Sequence, residues 1–338
     1  MRLTVYIRKR LLFMPLALAS VAVLAFLLVN ALPGDPVGVI AGPAATPEQL
    51  AETSRRLGLD QPIWQRFLDY FGALLQGDLG TSFYTNRSIL TEIFRFLPST
   101  LVLVTLSLAL ASVLGIGLGV IGAYYQGRWA DGGSRFLITV FQAVPDFFLG
   151  LLLIYFLFYQ FGWAPAPVGQ LGLLDDAPPR VTGAALIDSL IAGNMATFWA
   201  AVQHAILPVL TLGIYYSAYF ARTTYAAVGP ALESKQVEFA RACGLSERKV
   251  LGYALRQART PILTYGGILL SALLGGAAIV ETIFSWGGFG EWAITSILQL
   301  DLPAVQGFIL FAGIGTLIVF TLLDVVVALL DPRVRYDS

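Results

Sequence analysis

The sequence predicts an all-α polytopic membrane protein with six transmembrane helices, and two observations carry that prediction. The chain has 338 residues, of which 57% are hydrophobic and only 12% charged, with a mean hydropathy of +0.74. Soluble domains average roughly 25% charged residues. The charges also fall in blocks, and the uncharged runs between them reach the roughly 20 residues that cross a bilayer. The partner this composition implies is the lipid bilayer. The net charge is zero, so nothing points to a nucleic-acid partner. A single cysteine, Cys243, excludes an intramolecular disulfide and a multi-cysteine metal site, and a single histidine, His204, leaves no cluster for zinc.

The elements follow in order. Arg2, Arg8, Lys9 and Arg10 precede an uncharged run from Leu11 to Ala31, the first span. That run is too long for a signal-peptide core and no small-residue cleavage site follows it, so it reads as a retained helix. Residues 32–96 form a polar excursion, read as a small ordered cap. It holds two amphipathic helix candidates, Thr46 to Leu57 and Gln61 to Gln76, the second with an apolar stripe of Trp64, Phe67, Leu68, Phe71 and Leu75. The second span is Leu97 to Tyr125, with Gly115, Gly117, Gly119 and Gly122 as small residues for close helix packing. A short loop with Arg128, Asp131 and Arg135 leads to a third span near Phe136 to Phe161, broken at Pro145-Asp146. A second excursion, Trp163 to Gln203, contains a short helix candidate at Ala184 to Ala192. The remaining spans are predicted at His204 to Ala227, Pro261 to Phe284 and Ala304 to Leu330, with DPRVRYDS as the tail. The corresponding division of the chain is 1–96, first helix and cap, and 97–338, a five-helix core.

Between the fourth and fifth spans lies the densest block of charge, about residues 229–260. Gly229-Pro230 suits the opening turn of a helix, with Val237, Ala240 and Leu245 at helical spacing. Gly244 interrupts at a position fit for a C-terminal cap. Ser246 can cap a second helix, with Glu247 in its first turn. Val250, Leu251, Ala254 and Leu255 give that helix an apolar face, Arg256 and Arg259 sit near its end, and Pro261 marks the next segment. The result is two short helices joined at a bend, a shape suited to docking on another protein. An ordinary solvated loop is the alternative reading. Basic residues near span ends place the N-terminus, the 126–135 loop, this hub and the tail on one side, the cytoplasmic one. Opposite, the short loops hold only Arg180, and the five arginines of the 32–96 excursion weigh little in so long a loop.

The stretches VEFARACGLSERKVLGYALRQARTPILT, LLGGAAIVETIFSWGGFG, DLPAVQGFIL and LLDPRVR resemble the permease subunits of bacterial dipeptide/oligopeptide (peptide/nickel-type) ABC importers. LPGDP and LGLDQPIWQRFLDYFGALLQGDLGTSF agree in the N-terminal half, so the resemblance covers nearly the whole chain. It implies the type I ABC importer permease fold with short extracytoplasmic helices. It also implies one half of a translocation path for di- or oligopeptides or related small solutes, in the bacterial cytoplasmic (inner) membrane with both termini cytoplasmic. The implied partners are a second homologous permease, two cytoplasmic ABC ATPases that bind ATP and Mg, and an extracytoplasmic substrate-binding protein. The hub matches the family's EAA-type coupling loop. Glu238, Phe239 and Ala240 take its opening positions and Gly244 its glycine, with Leu245, Ser246, Val250 and Leu251 completing the expected ATPase-coupling set. Phe239, Cys243, Tyr253 and Gly287 depart from the residues usual in the family at their positions.

No GxxxxGK[ST] phosphate loop occurs, so the chain is not the ATPase, and it is read as a non-enzyme with no cofactor of its own. Glu238 either orients basic groups of the hub or is a solvated charge. Asp146, a carboxylate within the third span, has two readings: a substrate-pathway residue facing a cationic group, or a structural cap or partner of Arg222. Asp324 reads as an interfacial hydrogen-bonding residue, and the Gly-Gly pairs of the fifth span as close-packing sites. A membrane-embedded enzyme would need paired aspartates, a Ser/His or Ser/Lys pair or a metal cluster, none of which the sequence offers convincingly. A stand-alone carrier or channel would leave the docking-type hub unexplained.

Overall fold

Two long helices form the axis of the molecule. In the computed structural model, which describes residues 3–330 and side chains over 12–327, α9 runs Met195–Leu232 and packs most extensively against α5, Ile89–Tyr124. The predicted small residues explain their close approach. A Cβ on Gly119 would meet the Ala221 carbonyl at 2.5 Å, and one on Gly122 would meet Tyr225 at 2.9 Å. Gly115 lies on the same face, whereas Gly117 faces open space. Without a hydrophobic drive between helices in lipid, such contact is what holds spans together.

The other elements arrange around this pair. α1 (Leu3–Asn30) lies along α14 (Leu302–Leu330), and α14 also packs on α11 (Glu247–Gly276). The cap contains α2 (Pro36–Ala41), α3 (Pro47–Arg56) and α4 (Ile63–Leu75). Thr46 starts α3 through a reciprocal capping box with Gln49, the Thr46 N–H donating to Gln49 Oε1 at 2.8 Å. α8 (Ala185–Ile191) sits in the second excursion, and α12 (Ala278–Ile283) and α13 (Phe289–Leu298) link α11 to α14. Among the described residues the only non-helical pairing is an isolated bridge, Thr81 to Ser88.

Among the described residues four helices are individually long and apolar enough to cross a membrane, and all four match predicted spans; a bent helix pair raises the number to five at most, against the six expected. The two remaining predicted segments, the third and the fifth, differ from expectation. The third is two helices, α6 (Trp129–Ala143) and α7 (Asp146–Leu153, continuing as a π-helix over Ile154–Gln160), bent by 98° at Val144-Pro145. Proline removes a helical donor and pushes the preceding residue to an extended conformation; Val144 has φ −93° and ψ 120°. The fifth is not a separate helix beginning at Pro261. α11 runs unbroken from the hub through Pro261 to Gly276, then breaks before α12. Likewise Gly229-Pro230 does not open the hub, because α9 continues through both to Leu232. The division placed after residue 96 falls inside α5, and the tail 331–338 lies outside the described residues.

One core cluster runs the length of α9 and α11. It begins with Phe284 and Trp286 on the cap side, passes Leu273, Leu269 and Phe220, and ends with Val237, Ala240 and Val250 at the hub.

Candidate functional site

The hub comprises α10 (Lys235–Ala242) and the first turns of α11. Its bend has a defined chemistry. The Leu245 N–H donates to the Ala240 carbonyl at 3.2 Å and the Gly244 N–H to the Arg241 carbonyl at 2.9 Å. These are the two bonds of a Schellman motif, with Gly244 at its left-handed position, φ +72°. A Cβ there would meet no atom within 4 Å, so the requirement for glycine is conformational and not steric. Ser246 occupies the position before α11, but its hydroxyl makes no capping bond, contrary to expectation. Its carbonyl accepts from the Lys249 and Val250 amides at 2.8 and 3.0 Å instead.

The hub is anchored on both sides. Gln257 Nε2 donates to Gln236 Oε1 at 2.7 Å and Ser234 Oγ at 3.0 Å, joining α10 to α11. Arg241 pairs with Glu247 at 3.3 Å across the bend, and Tyr124 Oη, the last residue of α5, donates to Glu247 Oε2 at 3.0 Å. Arg241, and then Tyr124, hold the Glu247 carboxyl below its ordinary value of 4.5.

The side chains divide into two faces, and the division corrects one expectation. Val237, Ala240, Val250 and Ala254 are buried in the chain's own core, with Leu245, Leu251 and Leu255 partly buried against it. The apolar face expected to meet a partner is therefore the inner face, and Ala240 and Val250 are its packing residues. Outward lie Glu238, Phe239, at 71% exposure, and Tyr253, at 47%. A groove of about 750 Å³ opens here, lined by Phe239, Cys243, Leu245, Tyr253 and Arg256 among others. A large aromatic exposed beside a groove is the side-chain type that carries binding energy at protein interfaces.

Asp146 lies at the bend between α6 and α7, the first residue of α7, where its carboxylate accepts its neighbour Phe147's amide at 2.7 Å. Among the described residues no ion pair joins it to Arg222. On α9, Tyr215 and Tyr219 share a hydroxyl contact of 3.1 Å. His204 is structural, its Nδ1 bonded to the Ala200 carbonyl at 2.9 Å. Of the fifth-span glycines, Gly267 packs closely, since a Cβ there would meet Leu323 at 2.6 Å, whereas Gly275 faces open space.

Sequence reasoning missed a second buried centre, Glu281. Its carboxylate is fully enclosed and accepts from Thr100 Oγ1 at 2.5 Å and from the Gly290 and Glu291 amides at 2.8 and 3.0 Å. A Cβ on Gly288 would collide with it at 2.5 Å. Trp286 Nε1 donates to the Ser99 carbonyl at 3.0 Å, and Gln170 Nε2 bonds Ser99 Oγ and the Trp286 carbonyl. Together these tie α5, the second excursion and the α11–α14 connection into one closure on the side opposite the hub. The available signal was a lone acid in an apolar run bounded by glycines.

Comparisons with known proteins agree along the chain. Residues 115–336 match the model of the binding-protein-dependent transport system inner membrane component, and residues 3–104 match the N-terminal model of the same membrane components. The chain is 39% identical over 334 residues to a di/tripeptide transport system permease protein of Pseudomonas aeruginosa (strain UCBPP-PA14), covering 98% of this chain and 99% of that one. It is 38% identical to a probable D,D-dipeptide transport system permease protein of Escherichia coli (strain K12), covering 97% and 96%. It is 36% identical to a glutathione transport system permease protein of Escherichia coli O6:H1 (strain CFT073), covering 98% and 99%. A crystal structure of an amino acid ABC transporter with histidines matches with TM-score 0.45 and 18% identity over 72% of this chain and 94% of that one.

Proposed function

The chain belongs to the family of binding-protein-dependent transport system inner membrane components, and from that premise we propose that it imports di- or oligopeptides as one of two permease subunits. The named activities of its relatives, dipeptide and glutathione transport, support that substrate class. Two cytoplasmic ATPases hydrolyse ATP, and an extracytoplasmic protein delivers the solute. This chain catalyses no reaction. Its termini and hub lie in the cytoplasm and the cap lies outside.

The observation that carries the mechanism is the continuity of α11. A helix of 30 residues spans about 45 Å at 1.5 Å per residue. Its first turns belong to the hub and its last turns reach the Glu281 closure. A partner that grips Glu238, Phe239 and the adjoining groove therefore moves a rod, and interior packing transmits that displacement without absorbing it. α9, equally continuous, shares the same core. ATP-driven approach of the two ATPases tilts these rods and opens the path, with Asp146 and the α9 tyrosines in position to meet the solute's ammonium group.

The test is reconstitution with the sister permease, the ATPases and the binding protein in proteoliposomes. Uptake of a labelled dipeptide that needs ATP and the loaded binding protein is expected. Uptake by this chain alone, without ATPases, would overturn the proposal.

A further inference from the structure

The cap holds a cavity that the import reading does not use. It measures about 610 Å³ and lies between the end of α3, the inner face of α4, the 80–86 turn and the first turn of α14. Arg55, Arg56 and Arg66 line it against one acid, Asp69. Arg55 Nε donates back to the Ala51 carbonyl at 3.4 Å, which accounts for it as a helix-end residue. Arg56 and Arg66 make no hydrogen bond or ion pair among the described residues. Arg66 is half-buried, and burial lowers its pKa. Tyr70 adds a second demand: it lines the same cavity, and its hydroxyl is buried with no hydrogen-bond partner. Two uncompensated cations and a stranded hydroxyl together call for an anionic oxygen-rich group.

The surroundings indicate where that group comes from. α4 lies across the end of α1, with Phe26 packed on Phe67 at 5.2 Å and on Tyr70 at 5.8 Å between ring centroids. Phe26 is one turn inside Asn30, the end of α1. The outer face of α4 exposes Trp64, Leu68 and Leu75, and the neighbouring face of α1 exposes Leu24, Leu27 and Leu28. A helix with a bare Trp/Leu face at the end of a span lies in the membrane interface, where lipid phosphates sit. We infer that this cavity binds the phosphate-bearing headgroup of an anionic lipid, gripped by Arg56 and Arg66 and hydrogen-bonded by Tyr70, on the membrane face opposite the hub. Lipid bound there ties α4 to α14 and fixes the cap on the core. The inference rests on the membrane reading but on neither the substrate nor the ATPase partners.

The test uses the full chain in nanodiscs of phosphatidylcholine, with or without added phosphatidylglycerol. Retained lipid is identified by native mass spectrometry and the unfolding midpoint is followed. The wild type is expected to retain phosphatidylglycerol selectively and to unfold at a higher temperature with it. Arg56→Gln and Arg66→Gln should each weaken retention about fivefold, the ~1 kcal/mol a basic residue contributes near an anionic surface. Tyr70→Phe should weaken it less. Arg56 is exposed, so Arg56→Gln should leave the midpoint in pure phosphatidylcholine unchanged. Equal retention by the wild type and the double arginine variant overturns the site. A midpoint raised as far by inorganic phosphate as by phosphatidylglycerol overturns the lipid assignment, since the anion then comes from solution. Neither outcome depends on transport, so each is distinct from a failure of the import reading.

Discussion

Replacing Gly244 by valine isolates the geometry of the hub from its contacts. At φ +72° an L-residue places its Cβ against the following carbonyl, which costs roughly 1–2 kcal/mol, and a β-branched side chain stands at the upper end of that range or beyond it. No further steric term applies, because a Cβ at this position meets no atom within 4 Å. The perturbation is therefore about 2 kcal/mol, a shift of roughly thirtyfold in the equilibrium between the native bend and an unwound one. The Schellman bonds from Leu245 and Gly244 are the ones lost, and the angle between α10 and α11 goes with them. The membrane core should survive, since Gly244 is exposed at the tip of the hub. The expected result is a chain that inserts normally but binds its ATPases poorly, or binds them without coupling hydrolysis to uptake. Gly244→Asn serves as the control, because asparagine tolerates the left-handed region far better at a similar size. Assembly, binding-protein-stimulated ATP hydrolysis and dipeptide uptake would be measured in the reconstituted complex. If valine matches the wild type in all three, or if asparagine is as damaging as valine, the backbone argument is wrong.

Four other outcomes are expected. Val250→Ala should destabilise the chain by about 2 kcal/mol through lost burial, whereas Phe239→Ala should leave unfolding unchanged and weaken ATPase binding; equal effects on stability would contradict the two-faced hub. Asp146→Asn should lower uptake of peptides with a free amino terminus about tenfold with assembly intact, the worth of one charge-assisted hydrogen bond, and wild-type uptake would remove it from the path. Because Glu247 has a lowered folded pKa, its link to Arg241 and Tyr124 contributes above the ordinary value of 4.5 and is lost as pH falls through the lowered one. Hydrogen exchange over 246–250, corrected for intrinsic rate, should therefore quicken in acid in the wild type, while Glu247→Gln should exchange fast at neutral pH as well. In a Cys243→Ser background, an impermeant thiol reagent should label Asp60→Cys but not Lys249→Cys in intact cells, and the reverse pattern would invert the topology.

Much of the fold was legible in local sequence, because local physics decides it. Uncharged runs of bilayer length fix the long spans, since only a hydrogen-bonded helix of that length satisfies its backbone in lipid. Gly244 before Leu245 carries its capping geometry within a few residues, and it formed. Other features depended on neighbours distant in sequence. Proline read as a boundary at residues 230 and 261, yet both helices continue through it, because the flanking Val228, Ala231, Ala258 and Ile262 are buried in the core on either side of it. At Pro145 the same residue type does break the span, by 98°. Helical periodicity grouped Val250, Leu251, Ala254 and Leu255 on one face but could not say which surface that face meets. Packing against α9 turned it inward and left Phe239 and Tyr253 outside. Glu281 was a lone acid until Thr100 and the Gly290 and Glu291 amides converged on it from positions 181, 9 and 10 residues away. A sequence states which groups need partners; only the packed helices determine which partners come within reach.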